Sequence, residues 1–109
     1  MAQKSELMPG TLDMLVLRVL SRGELHGWGI TSKLEQLSNS ALQVDEGSLY
    51  PSLYRMEEKG WIEAEWRKTE NNRRAKYYSL TRSGRKQLET EQANWDRMSA
   101  VIAMVMESA

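Results

Sequence analysis

Three apolar stripes at helical spacing, a pair of alternating segments around a basic turn, and a closing run with seven-residue periodicity predict a mainly α chain with a two-stranded β-hairpin. The 109 residues suffice for one core and not for two. A hydrophobic fraction of 40% beside a charged fraction of 28% is that of a folded globular chain rather than a disordered one.

Residues 1–10 read as an arm ended by Pro9-Gly10. Thr11 is then the expected N-cap of a first helix, with Asp13 favoured in its first turn by the helix dipole. Leu12, Leu15, Val16, Val19 and Leu20 form one buried stripe, and Gly23 stops the helix. Met14 and Leu17 lie off that stripe. In so small a domain a helix apolar on more than one side points to another subunit.

Gly27-Trp28-Gly29 opens a second helix with Ile30, Leu34 and Leu37 on one face, and Ser38-Asn39-Ser40 breaks it. After a short extended piece, Asp45 caps a third helix. Its inward stripe is Leu49, Leu53 and Met56, and Lys59-Gly60 ends it. Pro51 cannot donate to the carbonyl four residues back, so an irregular or slightly kinked first turn, Glu46 to Tyr50, is expected.

From Trp61 the period falls to two. Ile62, Ala64 and Trp66 alternate with Glu63, Glu65 and Arg67 as a half-buried strand. Glu70-Asn71-Asn72-Arg73-Arg74 makes a polar turn, because asparagine tolerates positive φ. Tyr78 and Leu80 alternate with Tyr77 and Ser79 on the return strand, and Thr81 caps a helix running nearly to the end. This order, α-α-α-β-β-α, is the plan of a winged helix-turn-helix over residues 11–81, followed by a long dimerisation helix over 82–109, all in one compact domain.

Several functions are excluded. There is no cysteine and one histidine, His26, and the acidic residues are scattered among lysines and arginines, so neither a thiolate centre nor a metal site is expected. No Gly-rich nucleotide motif occurs, and no cofactor or catalytic activity is expected. No run approaches the roughly 20 apolar residues of a membrane span, and MAQKSELMPG lacks the apolar core of a secretory signal. A cytoplasmic protein with no membrane partner is the expectation.

The formal net charge of zero hides a separation along the chain. Residues 67–86 hold eight cations against Glu70 alone, a net of +7, while residues 1–66 hold six against ten and residues 87–109 one against four. Such a field presents one edge to a polyanion, and double-stranded DNA is the expected partner. With Leu49, Leu53 and Met56 turned inward, Gly47, Ser48, Tyr50, Pro51, Tyr54 and Arg55 lie on the outward arc of the third helix, with Ser52 and Lys59 at its border. Small residues at 47 and 48 allow close approach, and the helix start can hold a phosphate. Hydroxyls from Ser48, Tyr50 and Tyr54 suit phosphate or base edges, and Arg55 suits a guanine. On the hairpin, Asn72, Arg73, Arg74 and Lys76 are the expected contacts. Arg67 and Lys68 face competition from Glu63 and Glu65.

The runs Leu12–Leu20, His26-Gly27-Trp28-Gly29-Ile30, Gly47-Ser48-Leu49-Tyr50-Pro51 with its downstream Lys59-Gly60-Trp61-Ile62, Asn71–Tyr78, and Leu80-Thr81 with Gly84 resemble the PadR-type transcriptional regulators of bacteria. The resemblance covers roughly residues 10–90. It implies a homodimeric, repressor-like protein on a palindromic operator, with DNA contacts at Ser48, Tyr50, Pro51 and the basic wing. The single helix after the wing is similar to the family's short subclass. Trp28 departs from the tyrosine that many members carry, and His26 reads as a helix-start residue.

The last helix supports a homodimer independently. Leu88, Trp95 and Ile102 are spaced by seven, as are Met98 and Val105, the a and d pattern of a helix seam, although Glu91 interrupts the first heptad. Trp95 and Met98 have two readings: plain interface packing, or the wall of a site for a small planar aromatic effector. Against DNA-binding regulation stands one alternative, a winged-helix module used only for protein–protein association.

Overall fold

The computed structural model describes residues 10–108. In order it contains α1 (Thr11–Leu20), β1 (Leu25–His26), α2 (Gly27–Leu37), α3 (Glu46–Glu58), β2 (Ile62–Lys68), β3 (Arg74–Leu80) and α4 (Arg82–Glu107). Of the expected arm, only Gly10 falls within the described residues.

The helix starts follow from local hydrogen bonding. Gly10, at φ 88°, takes the N-cap position of α1 without a side-chain bond, so Thr11 is already helical rather than the cap. His26 Nδ1 accepts from the Gly29 N–H at 3.0 Å and starts α2. Asp45 Oδ1 accepts from the Ser48 N–H at 2.8 Å, and Thr81 Oγ1 from the Gly84 N–H at 3.0 Å, capping α3 and α4. The α3 helix runs unbroken from Glu46 to Glu58, so the expected irregular first turn is absent. Pro51 deletes one bond, and the carbonyl it leaves belongs to Gly47, an exposed residue with access to water.

The core forms around α1. Val16, Leu17, Val19 and Leu20 pack with Ile30, Leu34, Leu49, Leu53, Met56, Ile62, Tyr78 and Leu88. Leu17 is fully buried here rather than facing another subunit, because α2, α3, α4 and β3 all touch α1 and occupy both of its apolar sides. Leu88 is likewise packed into the chain's own core. Leu37, expected on the buried face of α2, is exposed, since the last turn of that helix overruns the core.

The sheet has three strands, not two, in the order β1-β3-β2 and antiparallel throughout. Leu25 and His26 add to the hairpin opposite Tyr78 and Tyr77. At the turn, Asn72 takes φ 61°, as its position predicts.

Where α4 leaves the sheet it lies against the turn after α3. Thr81 donates from its N–H to the Trp61 carbonyl at 3.0 Å and from its hydroxyl to the Gly60 carbonyl at 2.6 Å. Gly84 is buried on that same carbonyl of Trp61, at a distance that leaves no room for a Cβ. From Gln92 onward every described residue of α4 is exposed. The radius of gyration is 15.5 Å, against about 13 Å for a rounded chain of this length. Trp95, Met98, Val101, Ile102, Val105 and Met106 are all exposed along this stretch. Among the described residues no helix is long and apolar enough to cross a membrane.

Candidate nucleic-acid interface

The pleat of the hairpin sorts its side chains into two chemically different faces. Cross-strand pairs Ile62–Leu80, Ala64–Tyr78, Trp66–Lys76 and Lys68–Arg74 share one face, because alternate residues point the same way. At its base that face is core, with Ile62 and Tyr78 buried. Towards the tip it becomes Trp66, Lys68, Arg74 and Lys76, an aromatic and cationic surface. The opposite face carries Glu63, Glu65 and Arg67. There Arg67 is engaged by both carboxylate oxygens of Glu24 and by Glu65 at 3.0 Å. These bonds hold the Glu24 carboxyl below its ordinary range and push the Arg67 guanidinium above its own. Arg67 is thus neutralised within the chain, whereas Arg74 on the other face enters no ion pair among the described residues.

That cationic side faces α3 and the start of α2. Tyr50 from α3, Gly27 and Trp28 from α2, and Trp66, Arg73, Arg74 and Lys76 from the wing line one open groove of about 790 Å³. Glycine at 27 lets the Tyr50 ring lie against the first turn of α2, since a Cβ there would overlap the tyrosine hydroxyl. Arg74 stacks over Trp66 at 5.6 Å from the ring centroid, which steadies the guanidinium without using its N–H donors. Among the described residues Arg73 and Arg74 enter no ion pair.

The outward arc of α3 is where the sequence puts it. Gly47, Ser48, Tyr50, Pro51, Tyr54 and Arg55 are all exposed. Ser52 is not at its border but fully buried, with its hydroxyl donated to Asp13 Oδ1 at 2.5 Å. Three members of the candidate set are partly committed elsewhere. Arg55 Nη2 donates to Asp13 Oδ1 at 2.7 Å. Lys76 Nζ donates to Glu57 Oε1 at 3.2 Å. The Tyr54 hydroxyl is drawn to Glu58, whose carboxylate raises its pKa above that of a free phenol. The Asp45 cap also uses the Ser48 amide, one of the N–H groups a phosphate would otherwise meet.

Two residues of this surface escape sequence reasoning. Trp66 looks like the last inward position of an alternating strand, but the strand outruns the core and leaves it 57% exposed. Trp28 is 75% exposed at the mouth of the same groove. The signal in both cases is an aromatic residue set among cations or at a helix start.

An exposed helix face, an arginine-tipped hairpin and a groove between them sit together on a winged helix. Residues 16–90 match the transcriptional regulator PadR-like family. The chain belongs to that family. A PadR-like transcriptional regulator from Bacillus cereus superimposes with a TM-score of 0.79 at 28% identity, covering 96% of this chain and all of that one. A transcriptional regulator from Clostridium thermocellum gives 0.83 at 25% identity over 92% of this chain and 97% of the other. An uncharacterized protein X of Lysinibacillus sphaericus is 28% identical over 104 residues, 95% of both chains. A 37.1 kDa protein of a Streptomyces fradiae transposon is 40% identical over 97 residues, which span 26% of its length. PadR proteins are transcriptional regulators rather than enzymes, and membership of the family implies DNA-binding regulation.

Separate from this groove, Trp95 lines a cleft of about 240 Å³ between α1 and α4, together with Met14, Leu15, Arg18, Leu88, Gln92 and Asp96. Met98, paired with Trp95 in the effector reading, is not part of that lining.

Proposed function

We propose that this PadR regulator is a homodimeric repressor of the bacterial cytoplasm that binds a palindromic operator through α3 and the wing. The observation that carries this reading is the meeting of Tyr50, Arg73, Arg74 and Lys76 around one groove, with Ser48 and Pro51 exposed on the adjoining helix start. Ser48 and Tyr50 contact the major-groove side, Arg73 and Arg74 hold phosphates flanking it, and Asn72 sits at the wing tip. Gly47 supplies close approach. Tyr54 and Arg55 are secondary, because Glu58 and Asp13 already engage them.

The dimer rests on α4. Trp95, Met98, Ile102 and Val105 present an apolar band that a lone protomer leaves in water, which is the usual mark of an interface. A two-fold axis through this helix sets two recognition helices about 34 Å apart, one turn of B-DNA. Trp95 serves first in interface packing, and the cleft beside it is where a small planar aromatic effector would sit. Residues 11–81 bind DNA and residues 82–109 dimerise, within one domain.

Ser48→Ala and Tyr50→Phe each remove one hydroxyl and little else. The expected result is a loss of about 1 kcal/mol or more per half-site on the cognate operator and little change on random duplex, measured by fluorescence anisotropy. Equal losses on both DNAs would make these residues phosphate anchors rather than sequence readers.

A further inference from the structure

The carboxylate of Asp13 is the one acidic side chain buried among the described residues, and nothing in the DNA surface uses it directly. It sits in the first turn of α1, yet its side-chain partners among the described residues come from α3. Ser52, 39 residues away and fully buried, donates to its Oδ1 at 2.5 Å, and Arg55 donates to the same oxygen at 2.7 Å. Ser52 and Arg55 lie one turn apart on α3, so a single acceptor pins that helix at two points.

The alternative to such a pin is sliding apolar contact. Leu49, Leu53 and Met56 fill the same interface, but apolar packing is non-directional and tolerates small rotations of one helix over another. Two charge-assisted or buried hydrogen bonds are directional and do not. The exposed arc of α3 starts at Gly47 and Ser48, within two turns of Ser52. A small rotation about the helix axis would therefore carry the Ser48 and Tyr50 hydroxyls off their base or phosphate partners. Arg55 has a second consequence. Its side chain is 50% exposed on the DNA side of α3, and Asp13 both orients it and offsets its charge.

We propose that Asp13 is a positioning residue for sequence discrimination: through Ser52 and Arg55 it sets the rotation of α3 and keeps Arg55 from acting as an indiscriminate phosphate contact. The proposal rests on the DNA-binding reading above and adds to it a determinant that never touches DNA.

The test uses the full chain, a duplex enriched from a random-sequence pool with the unaltered protein, and a random duplex of equal length. Asp13→Ala, Asp13→Asn and Ser52→Ala are compared for affinity on both, for salt slope, and for thermal midpoint. The unaltered protein must first prefer the enriched duplex; if it does not, the DNA-binding reading fails and not merely this proposal. Given that preference, Asp13→Ala should cut the ratio of enriched to random affinity about tenfold or more. Its random-duplex affinity and salt slope should rise as Arg55 is released, by about one phosphate contact per protomer. Asp13→Asn keeps an acceptor for Ser52 and should retain part of the preference, while Ser52→Ala should lower the ratio without raising the slope. If Asp13→Ala does not fold, the last two variants decide. An unchanged ratio in them, or parallel losses on both duplexes with a lower salt slope, would overturn the proposal.

Discussion

Replacing Arg73 and Arg74 together by alanine should lower the slope of log affinity against log salt by about 4 and weaken DNA binding roughly 1,000-fold at physiological ionic strength. Each phosphate contact contributes about 0.9 to that slope, and a two-fold dimer loses four such contacts rather than two. Exposed charge-assisted contacts of about 1 kcal/mol each give an affinity loss of that order. The expectation is specific to one face of the hairpin. Arg74 lines the groove with Tyr50 and stacks on Trp66, whereas Arg67 points to the other face and is engaged by Glu24 and Glu65. Arg67→Ala should therefore leave the slope nearly unchanged. Titration of DNA over a range of salt by anisotropy measures both variants. Equal effects would mean that the wing acts only as a diffuse positive charge, and no effect from either would remove the wing from DNA altogether.

The second large effect concerns stability. Gly84→Ala should lower stability by about 3 kcal/mol or more and the melting midpoint by about 15 °C. A Cβ at position 84 would overlap the Trp61 carbonyl and press on the Leu80 side chain. The first obstacle is backbone, tied by the Thr81 N–H, so relief requires α4 to lift away from the α3–β2 turn. That movement would also open the site of Leu88 in the core. Gly47→Ala is the control. Its Cβ would meet Asp45 Oδ1 at an ordinary 3.6 Å, and alanine is the better helix former, so its midpoint should hold or rise. Differential scanning calorimetry of the two variants decides the matter; a Gly84→Ala protein as stable as the original would show that α4 is not seated on Trp61.

The elements most legible in the sequence are those with long periodicity and a chemical start signal. Asp45 and Thr81 cap the helices they precede, and the Leu49–Leu53–Met56 stripe is buried as its spacing predicts. Asn72 occupies the left-handed position that its turn requires. What periodicity missed has physical causes. Two residues, Leu25 and His26, are too short to show an alternating pattern, and their pairing with β3 depends on a partner more than 50 positions away. Leu17 lies off the stripe of α1 only if that helix has one buried side, and its central place gives it two. Trp66 continues the alternation of β2 past the point where there is any core to face. In the site, spacing identified the exposed arc of α3 correctly, but it carries no information on tertiary hydrogen bonds. The tie of Arg55 and Ser52 to Asp13 is therefore visible only in three dimensions.

Selection of binding sites from a pool of random duplexes tests most directly whether two protomers lay their α3 helices and wings along one side of DNA. The expected outcome is enrichment of an inverted repeat whose half-site centres are about 10 base pairs apart, bound by two chains. Recovery of no common sequence, or of an asymmetric site bound by one chain, would contradict it.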